Sequence, residues 1–404
     1  MKTKHTLASR DAIPGNHGRL TTSRPIYGWN PPDTAHRSPS DAGQRASDDA
    51  FRMPTTPLSA RIGAYRSAMF KLKKRPALRS FVIKPTLKCT ANCFGCASRR
   101  ELHRSLSKQR KLQFEDWQRI LADAASLGMR NLVISGGEPT LSHDILSLIA
   151  EGRKRCPMVV MNTNGSRITQ SSAEELLEAG LGGVMISLYS HDPQVHDAFR
   201  RSRNLWQKAV DAIRIFAKLR DDKYPDFALR TQFVILRENF RSLDRLVEFH
   251  HELGSQRVHL SYLEGDDERK YLLKAHEINE LREQVVPRLL ETIAKLELPD
   301  RQEAEAAARG LYGDEAGKVE DLEQGVYWRG KPCGKPKHFA LALADGQVHP
   351  CNIVEYTHHP VMGNLFESSL GEIFHSRAWK SFRRHRFDKC SLCPMNLHAA
   401  LHLR

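Results

Sequence analysis

The chain has 404 residues and a net charge of +15; 40% of its residues are hydrophobic and 27% are charged. These values are ordinary for a globular protein that buries a sizeable core, and they exclude a minimal disulfide-stapled domain. No apolar run approaches the roughly 18 residues that a membrane span needs, and the basic start of the chain lacks the apolar region of a secretory signal. We therefore expect a cytoplasmic protein without a membrane partner, whose eight cysteines serve metal binding or catalysis rather than disulfides.

More than half of the excess positive charge lies in residues 1–76, which contain 14 Lys and Arg residues against five Asp residues. This segment is rich in Ser, Thr, Pro and Arg and cannot bury enough apolar surface to fold alone, so it predicts a disordered N-terminal tail. An arm that binds nucleic acid or a protein is the alternative, supported mainly by charge. Residues 60–76 have the spacing of a short amphipathic helix.

From residue 78 onward, apolar strand-like runs alternate with stretches of helical spacing. Strands are predicted at 81–87, 131–135, 158–162, 183–189, 228–236 and 258–263, and helices near 114–128, 142–154, 171–180, 204–220 and 240–253. Such alternation indicates a parallel sheet covered by helices. We predict an α/β fold in which residues 78–265 form a partial (β/α)6 TIM-like barrel, with functional loops at the carboxyl ends of the strands.

Three cysteines, Cys89, Cys93 and Cys96, follow the first predicted strand within eight residues. Three thiolates can wrap one metal centre, but they leave a tetrahedral or cubane site one ligand short. A zinc knuckle would therefore need a fourth ligand elsewhere, such as His103. An iron–sulfur cubane on three cysteines instead keeps one iron open for another ligand. The spacing alone leaves both interpretations open.

The Cys-x3-Cys-x2-Cys spacing after the first strand resembles that of the radical S-adenosylmethionine (radical SAM) superfamily. The resemblance implies a [4Fe–4S] cluster on these cysteines, whose open iron binds SAM. It also implies reductive cleavage of SAM with an electron from a flavodoxin- or ferredoxin-type donor, giving a 5′-deoxyadenosyl radical that abstracts a hydrogen atom from the substrate. Two positions depart from the family pattern. Gly95 replaces the usual aromatic residue before the last Cys, with Phe94 one place earlier, and Tyr189 stands where many relatives carry Asp.

A second motif follows the second predicted strand. Gly136, Gly137, Glu138 and Pro139 match the family's GGEP segment, which meets the amino group of SAM. The glycines permit close backbone approach, and Glu138 offers an acceptor to an ammonium group. Taken alone, the same four residues are also compatible with an ordinary strand-exit turn.

Motifs at the next two strand ends extend the resemblance. Thr163, Asn164 and Gly165 match the TNG segment near the cofactor, although an Asn-Gly turn alone is common. The resemblance places Ser187, on the fourth strand, beside the ribose or carboxylate of SAM, and it implies that Arg200 pairs with that carboxylate. Four motifs in the right order favour the iron–sulfur interpretation over the zinc knuckle.

A second cysteine cluster lies near the C-terminus. Cys333 and Cys351 flank a predicted hairpin with its turn at 345–346, and Cys390 and Cys393 form a CxxC pair. Four thiolates are enough for a closed site. The pattern resembles the auxiliary-cluster extension of radical SAM enzymes in its shortened twitch form, because no Cys follows Cys393 as in a full SPASM domain. One auxiliary [4Fe–4S] cluster is thereby implied, with a four-cysteine zinc ribbon as the alternative.

The remaining segments carry less chemistry. Residues 331–404 are predicted as a small hairpin-plus-helix Fe–S domain, and residues 266–330 as a helical linker or cover over the barrel mouth, with one helix at about 275–296. Cys156 is interpreted as a buried small hydrophobe. The histidine pairs at 250–251 and 358–359 are expected at the surface.

A barrel with a twitch domain resembles enzymes that oxidise or epimerise alcohols in sugars and aminocyclitols, and maturases that modify peptides. We expect first the oxidation or epimerisation of a hydroxylated small-molecule natural-product precursor, with a ribosomal-peptide maturase as the close alternative. A nucleic-acid substrate has only the basic tail in its favour and is not expected. From another class, a zinc-bound nucleic-acid-binding protein without catalysis would contain zinc instead of iron. The sequence does not identify a catalytic base or hydrogen-atom donor.

Overall fold

The computed structural model describes residues 77–94, 96, 110–263, 269–296, 298, 301–312, 318–323, 335–351, 361–384 and 399–402. The predicted N-terminal tail with its short helix, Gly95, His103 and the histidine pair 358–359 lie outside these residues. Among the described helices, none combines the length and the apolar content that crossing a bilayer requires.

One sheet of ten strands, counted over the described residues, organises the molecule. The strands are β1 Ser80–Thr86, β2 Asn131–Gly136, β3 Met158–Thr163, β4 Gly183–Ser187, β5 Ala228–Ile235, β6 Arg257–Tyr262, β7 Phe339–Leu343, β8 Gln347–His349, β9 Gly363–Asn364 and β10 Ala399–His402. Their order is β10-β6-β5-β4-β3-β2-β1-β7-β8-β9, and neighbours from β1 to β6 run parallel. The predicted partial (β/α)6 barrel is confirmed.

Helices follow the strands as the alternating pattern predicts. They are α1 Phe114–Ser126, α2 Ile145–Arg155, α3 Gln170–Glu178, α4 Pro193–Arg200, α5 Leu205–Asp222, α6 Leu243–Glu252, α7 Ala275–Glu280, α8 Val286–Lys295, α9 Arg301–Arg309, α10 Val319–Glu323, α11 Leu370–His375 and α12 Arg377–Arg384. The helix α4 was not predicted, although Asp192, whose side chain accepts from the N–H of Gln194, and Pro193 mark its start.

The two faces of the sheet have different surroundings. On β5 the residues under the helices, such as Leu229 and Phe233, are fully buried, whereas Arg230 and Gln232 between them are half-exposed. On β1, β2 and β7, the apolar residues that face the barrel interior form a separate small cluster. Its members are Val82, Val133, Phe339, Leu341 and Leu343. The barrel interior is therefore apolar near β1 and β7, whereas the corresponding face of β5 carries the polar residues Arg230 and Gln232.

The C-terminal segment borders the barrel sheet at both edges. The predicted hairpin with a turn at 345–346 is confirmed as β7 and β8, and β7 pairs in parallel with β1. At the other edge, β10 pairs antiparallel with β6, from Ala399 opposite Leu260 to His402 opposite Arg257. The sequence did not predict β10, because its four residues are too short to show a strand pattern.

The segment predicted as a helical linker packs into the core beside β5 and β6. The predicted helix at 275–296 is one run in which a π-helical turn, Leu281–Val285, separates α7 from α8. Pro287 at the start of α8 has no backbone N–H to donate, which accounts for the change of pattern at this point. Arg237 and Glu277 form an ion pair at 2.8 Å that ties α7 to the end of β5. The domain boundaries themselves stay predictions.

The expectation that His250 lies at the surface is wrong, because its side chain is fully buried. Its Nδ1 lies 2.5 Å from the hydroxyl of Thr231, and its Nε2 lies 3.1 Å from the carbonyl oxygen of Leu188. A neutral ring satisfies both contacts with Nε2 donating and Nδ1 accepting. His250 thus supports the backbone where β4 ends. Cys156, by contrast, is buried in the main core as predicted.

Two buried histidines make the fold sensitive to acid. Burial lowers the pKa of His196 to about 2 and that of His250 to about 3, whereas a histidine of the unfolded chain titrates near about 6.5. The unfolded state therefore binds more protons below that pH. The free energy of unfolding should fall by up to about 1.4 kcal/mol per pH unit for each histidine between pH 6 and 4, measured by urea unfolding.

The variant His250→Gln tests the origin of this slope. Removing one titrating ring should make the dependence shallower by about 1.4 kcal/mol per pH unit, while His251→Gln, at the half-exposed neighbour, serves as the matched control. A slope in His250→Gln equal to that of the unmodified protein would contradict the explanation.

Candidate active site

The loop that follows β1 contains the three cysteines predicted to bind the first cluster, Cys89, Cys93 and Cys96, all with half-exposed side chains. The backbone N–H groups of Asn92 and Phe94 donate to the carbonyl oxygens of Arg200 and Phe199, at 3.2 and 3.1 Å. These carbonyls belong to the last turn of α4, whose C-terminal groups need partners outside the helix. The helix that the sequence interpretation missed therefore holds the cysteine loop in place.

A buried arginine accompanies these thiols. Burial raises the pKa of Cys89, and it raises the pKa of Cys93 to about 11, while the positive charge of Arg200 acts in the opposite direction on both. Burial lowers the pKa of Arg200, but the charges of Cys93, Tyr189, Cys89 and Cys96 outweigh burial and leave this pKa above its ordinary value. Thiolates in this loop therefore need positive charge nearby, from Arg200 and from a bound metal centre.

The spacing of the thiols bears on what they hold. The charges of Cys96 and Cys89 both act on Cys93 and raise its pKa. Three thiols in one loop can each bind a different iron of a four-iron cubane and leave its fourth iron open, so the donor set fits that cluster.

Two glycines, Gly136 at the end of β2 and Gly137 directly after it, let the strand exit approach the cysteine loop. Gly136 has a φ of +136°, and a Cβ atom on Gly137 would lie 2.2 Å from the carbonyl oxygen of Lys88. The N–H of Gly137 donates to Thr86 O at 3.0 Å, and the N–H of Glu138 donates to Lys88 O at 2.8 Å. The close backbone approach expected from this motif is thus made to the residues just before Cys89.

Glu138 joins the exits of β2 and β3. Its side chain is fully buried, and Oε1 accepts from the backbone N–H of Thr140 (3.2 Å), the Thr140 hydroxyl (2.7 Å) and the Thr163 hydroxyl (2.8 Å). Oε2 accepts from the backbone N–H of Asn164 at 2.8 Å. Four protein donors stabilise this buried carboxylate, three at Oε1 and one at Oε2.

Asn164 connects the third strand exit to the cysteine loop. Its Nδ2 lies 3.6 Å from the Sγ atom of Cys89 and 3.0 Å from the hydroxyl oxygen of Thr90. Its Oδ1 accepts from the backbone N–H of Ser166 at 2.9 Å, and Thr163 Oγ1 accepts from the N–H of Gly165 at 3.0 Å. The TNG motif therefore forms a local turn and also reaches a cysteine, which the sequence did not show.

The end of β4 is held by side chains from two helical segments and one strand. Ser187, which is buried, accepts from Nε2 of Gln232 on β5 at 3.3 Å. The backbone N–H of Tyr189 donates to Nδ1 of His196 at 3.0 Å, and its carbonyl oxygen accepts from Nδ2 of Asn239 at 2.8 Å. These contacts fix the backbone of Tyr189, the residue at the second departure from the family pattern.

Phe94 has a different position from the aromatic residue usual in the family pattern. Its ring centroid lies 4.9 Å from that of Tyr271 and 6.1 Å from that of Phe199. Two cations approach the same ring, with Lys270 Nζ at 4.7 Å and Arg201 Cζ at 5.1 Å. Phe94, next to the departure at Gly95, therefore joins the cysteine loop to α4 and to residues 269–271 through aromatic contacts.

The second cysteine cluster is described only in part. Cys351 is buried just after β8, while Cys333, Cys390 and Cys393 lie outside the described residues. The indole N–H of Trp379, on α12, donates to the carbonyl oxygen of Pro336 at 3.0 Å. This bond ties α12 to the segment that follows Cys333.

Comparison with known families agrees with this geometry. The family model described as the radical SAM superfamily matches residues 83–249, which contain the first three cysteines and the motifs at the exits of β2, β3 and β4. A model described as an iron–sulfur cluster-binding domain, SPASM, matches residues 333–394. The chain belongs to the radical SAM superfamily. It is an enzyme of the class that reductively cleaves SAM, with a SAM-binding [4Fe–4S] cluster and a SPASM/twitch-type domain for an auxiliary cluster.

Individual relatives of this radical SAM enzyme are distant. The AdoMet-dependent heme synthase of Methanosarcina barkeri is 24% identical over 322 residues, which are 76% of this chain and 86% of that protein. The PqqA peptide cyclase of Granulibacter bethesdensis is 27% identical over 176 residues, 44% of this chain and 45% of that protein. The structure of Streptococcus suis SuiB bound to the precursor peptide SuiA superposes with a TM-score of 0.58 at 19% identity, covering 87% of this chain and 78% of that one.

The structure brings most predicted site residues of the radical SAM core to one end of the sheet. Cys89, Glu138 and Asn164 are connected by contacts, and Arg200 lies beside the thiols. The sequence did not predict Thr90 and Ser166 as residues of this site. Their hydroxyl oxygens lie 2.6 Å apart. Both residues directly follow predicted ones, Cys89 and Gly165, and this adjacency was the only available signal.

Replacing the buried carboxylate of Glu138 tests its structural role. In Glu138→Gln an NH2 group, which cannot accept a hydrogen bond, replaces one carboxylate oxygen. In one orientation of the amide this group faces the N–H of Asn164, and in the other it faces the three donors at Oε1. Buried donors that lose their acceptor cost about 1–3 kcal/mol, so the free energy of unfolding should fall by that amount in urea titrations.

Glu178→Gln is the matched control, because Glu178 is exposed and its contact with Lys223 spans 3.9 Å. Exposed ion pairs contribute about 0–1 kcal/mol, so this variant should unfold nearly as the unmodified protein does. Equal stabilities of Glu138→Gln and Glu178→Gln would show that the four contacts of Glu138 do not hold the strand exits together.

Proposed function

We propose that Cys89, Cys93 and Cys96 hold the SAM-binding cluster in the loop after β1. The observation that carries this proposal is the geometry of the loop, in which the backbone between the first two cysteines and after the second is held by the carbonyl oxygens of Arg200 and Phe199. The loop also lies at the carboxyl end of the sheet, where barrel enzymes keep their chemistry.

We propose that SAM binds across the exits of β2, β3 and β4. Its contacts would come from the predicted residues Gly136, Gly137, Glu138, Pro139, Thr163, Asn164, Gly165, Ser187 and Arg200. In support, these segments lie on neighbouring strands, and the Nε atom of Arg200 is buried without a hydrogen-bond partner among the described residues. The Glu138 carboxylate also holds Asn164 in place, because its Oε2 atom accepts from the backbone N–H of that residue.

We propose that Cys333, Cys351, Cys390 and Cys393 hold the auxiliary cluster. Support comes from the hairpin that carries Cys351 and from the bond between Trp379 and Pro336, which orders the chain after Cys333. Since β7 pairs with β1 and β10 pairs with β6, the segment that contains these cysteines spans both edges of the barrel.

When bound, SAM and the reduced cluster supply a 5′-deoxyadenosyl radical that abstracts a hydrogen atom from the substrate. The side chains of this chain bind, orient and shield the reactants. Arg200 provides positive charge beside the thiols. A flavodoxin- or ferredoxin-type protein is our proposed electron donor.

We propose a peptide as the substrate. The PqqA peptide cyclase matches 44% of this chain, and the SuiB structure that superposes on 87% of it contains a precursor peptide. The anSMEcpe structure with a bound peptide superposes with a TM-score of 0.54. Oxidation or epimerisation of a hydroxylated small molecule, which the sequence favoured first, stays a prediction without support from the described residues.

Cysteine variants test the two cluster assignments. After anaerobic reconstitution the protein should contain about eight irons per chain, as two four-iron clusters. Replacing Cys89, Cys93 or Cys96 with Ala should remove about half of the iron and abolish formation of 5′-deoxyadenosine. Replacing Cys351 with Ala should also remove iron but leave measurable cleavage of SAM, because the first cluster keeps its ligands.

Cys156→Ala is the control, since this thiol is buried in the main core, where its Sγ donates to Met158 O at 3.2 Å. Iron content and SAM cleavage should be unchanged in that variant. Full SAM cleavage by Cys93→Ala, or zinc in place of iron in the reconstituted protein, would overturn the assignment.

A substrate screen tests the peptide proposal. The reconstituted enzyme should form 5′-deoxyadenosine faster with a pool of peptides than without substrate, and mass spectrometry should find a modified peptide, two mass units lighter if a bond or crosslink forms by oxidation. Stimulation by tetrapyrroles or by polyhydroxylated small molecules, with none by peptides, would assign another substrate class to the same radical chemistry.

A further inference from the structure

We propose that Asn164 is a positioning residue that donates a hydrogen bond to the Cys89 sulfur and thereby raises the reduction potential of the SAM-binding cluster. The inference rests on the proposed function, in which Cys89 is a cluster ligand. The resemblance implies that Asn164 lies near SAM, and the structure also brings its amide Nδ2 to 3.6 Å from the Cys89 Sγ atom.

The hydrogen-bond network decides which end of the Asn164 side chain faces the sulfur. The backbone N–H of Ser166 can only donate, and it lies 2.9 Å from Oδ1. The oxygen must therefore be on that side, and the NH2 group must face Cys89 and Thr90. A donor is consequently directed at the sulfur.

This donor is held firmly. Asn164 is 4% exposed, and its backbone N–H is bound by Oε2 of Glu138 at 2.8 Å. Thr163 binds Oε1 of the same carboxylate, which fixes the residue on the other side of the peptide bond. The side chain cannot leave the sulfur without breaking the turn at Ser166 as well, so the contact is built into the exit of β3.

A hydrogen bond to a cysteine sulfur affects the two redox states unequally. One-electron reduction adds negative charge to the cluster and to its sulfur ligands, and an N–H donor stabilises the more negative state. The effect is larger where water is excluded, because a buried donor is less screened. The amide of Asn164 therefore makes reduction easier, and a low-potential protein donor reduces a larger fraction of the enzyme.

Three variants separate the hydrogen bond from its surroundings. Asn164→Ala removes the N–H donor. Asn164→Asp keeps an oxygen that can accept from Ser166 but replaces the donor with a negative charge. Ser166→Ala is the matched control, since it removes the 2.6 Å contact with the Thr90 hydroxyl while the backbone N–H that orients Asn164 remains.

The measurement is an anaerobic potentiometric titration of the reconstituted full chain, followed by low-temperature electron paramagnetic resonance. The cluster of interest is identified by the change that added SAM causes in its signal. We expect the midpoint potential to become more negative in the order unmodified protein, Asn164→Ala, Asn164→Asp, with Ser166→Ala unchanged. Resonance Raman spectra should show altered iron–thiolate stretching in both Asn164 variants only.

A midpoint potential in Asn164→Ala equal to that of the unmodified protein would overturn the proposal, even if Asn164→Asp shifts, because charge alone would then explain the shift. Cys89→Ala distinguishes this failure from failure of the ligand assignment. Loss of the SAM-responsive signal in Cys89→Ala supports the ligand role, whereas an unchanged signal removes Cys89 from the cluster and the inference with it.

Discussion

Glu138 carries a carboxylate that is fully buried and accepts four hydrogen bonds from the exits of two neighbouring strands. A buried charge of this kind is stable only when protein donors replace its water. The same bonds fix Asn164, whose amide reaches Cys89. The order of the cysteine loop thus depends on a carboxylate at the end of the neighbouring strand, and the two glycines before it permit the close approach.

The cysteine loop has its second support in α4. The last carbonyls of this helix accept N–H groups from the loop, and its final residue, Arg200, brings a buried positive charge to the thiols. A single short helix therefore positions the cysteine loop and brings a positive charge to its thiols. The aromatic ring of Phe94, packed against Phe199 and Tyr271, joins this helix to the loop on its other side.

The sheet explains how two distant cysteine segments belong to one enzyme. A partial barrel leaves β1 and β6 as open edges, and exposed edges are places where further strands add. In this chain β7, which lies within the SPASM segment, covers one edge, and β10, which follows that segment, covers the other. Both ends of the auxiliary domain are therefore anchored to the strands that carry the radical SAM chemistry.

The sequence by itself determined the barrel, the hairpin of β7 and β8, and the motifs at the strand exits, because alternating apolar runs and short cysteine and glycine spacings are local properties of the chain. It did not reveal α4 as the support of the loop, the burial of His250 or the pairing of β10 with β6. Only the tertiary structure decided that the Glu138 carboxylate binds Thr163 and Asn164 and that the Asn164 amide faces a sulfur. Those contacts join residues 25 to 75 positions apart, and no local pattern encodes which distant groups meet.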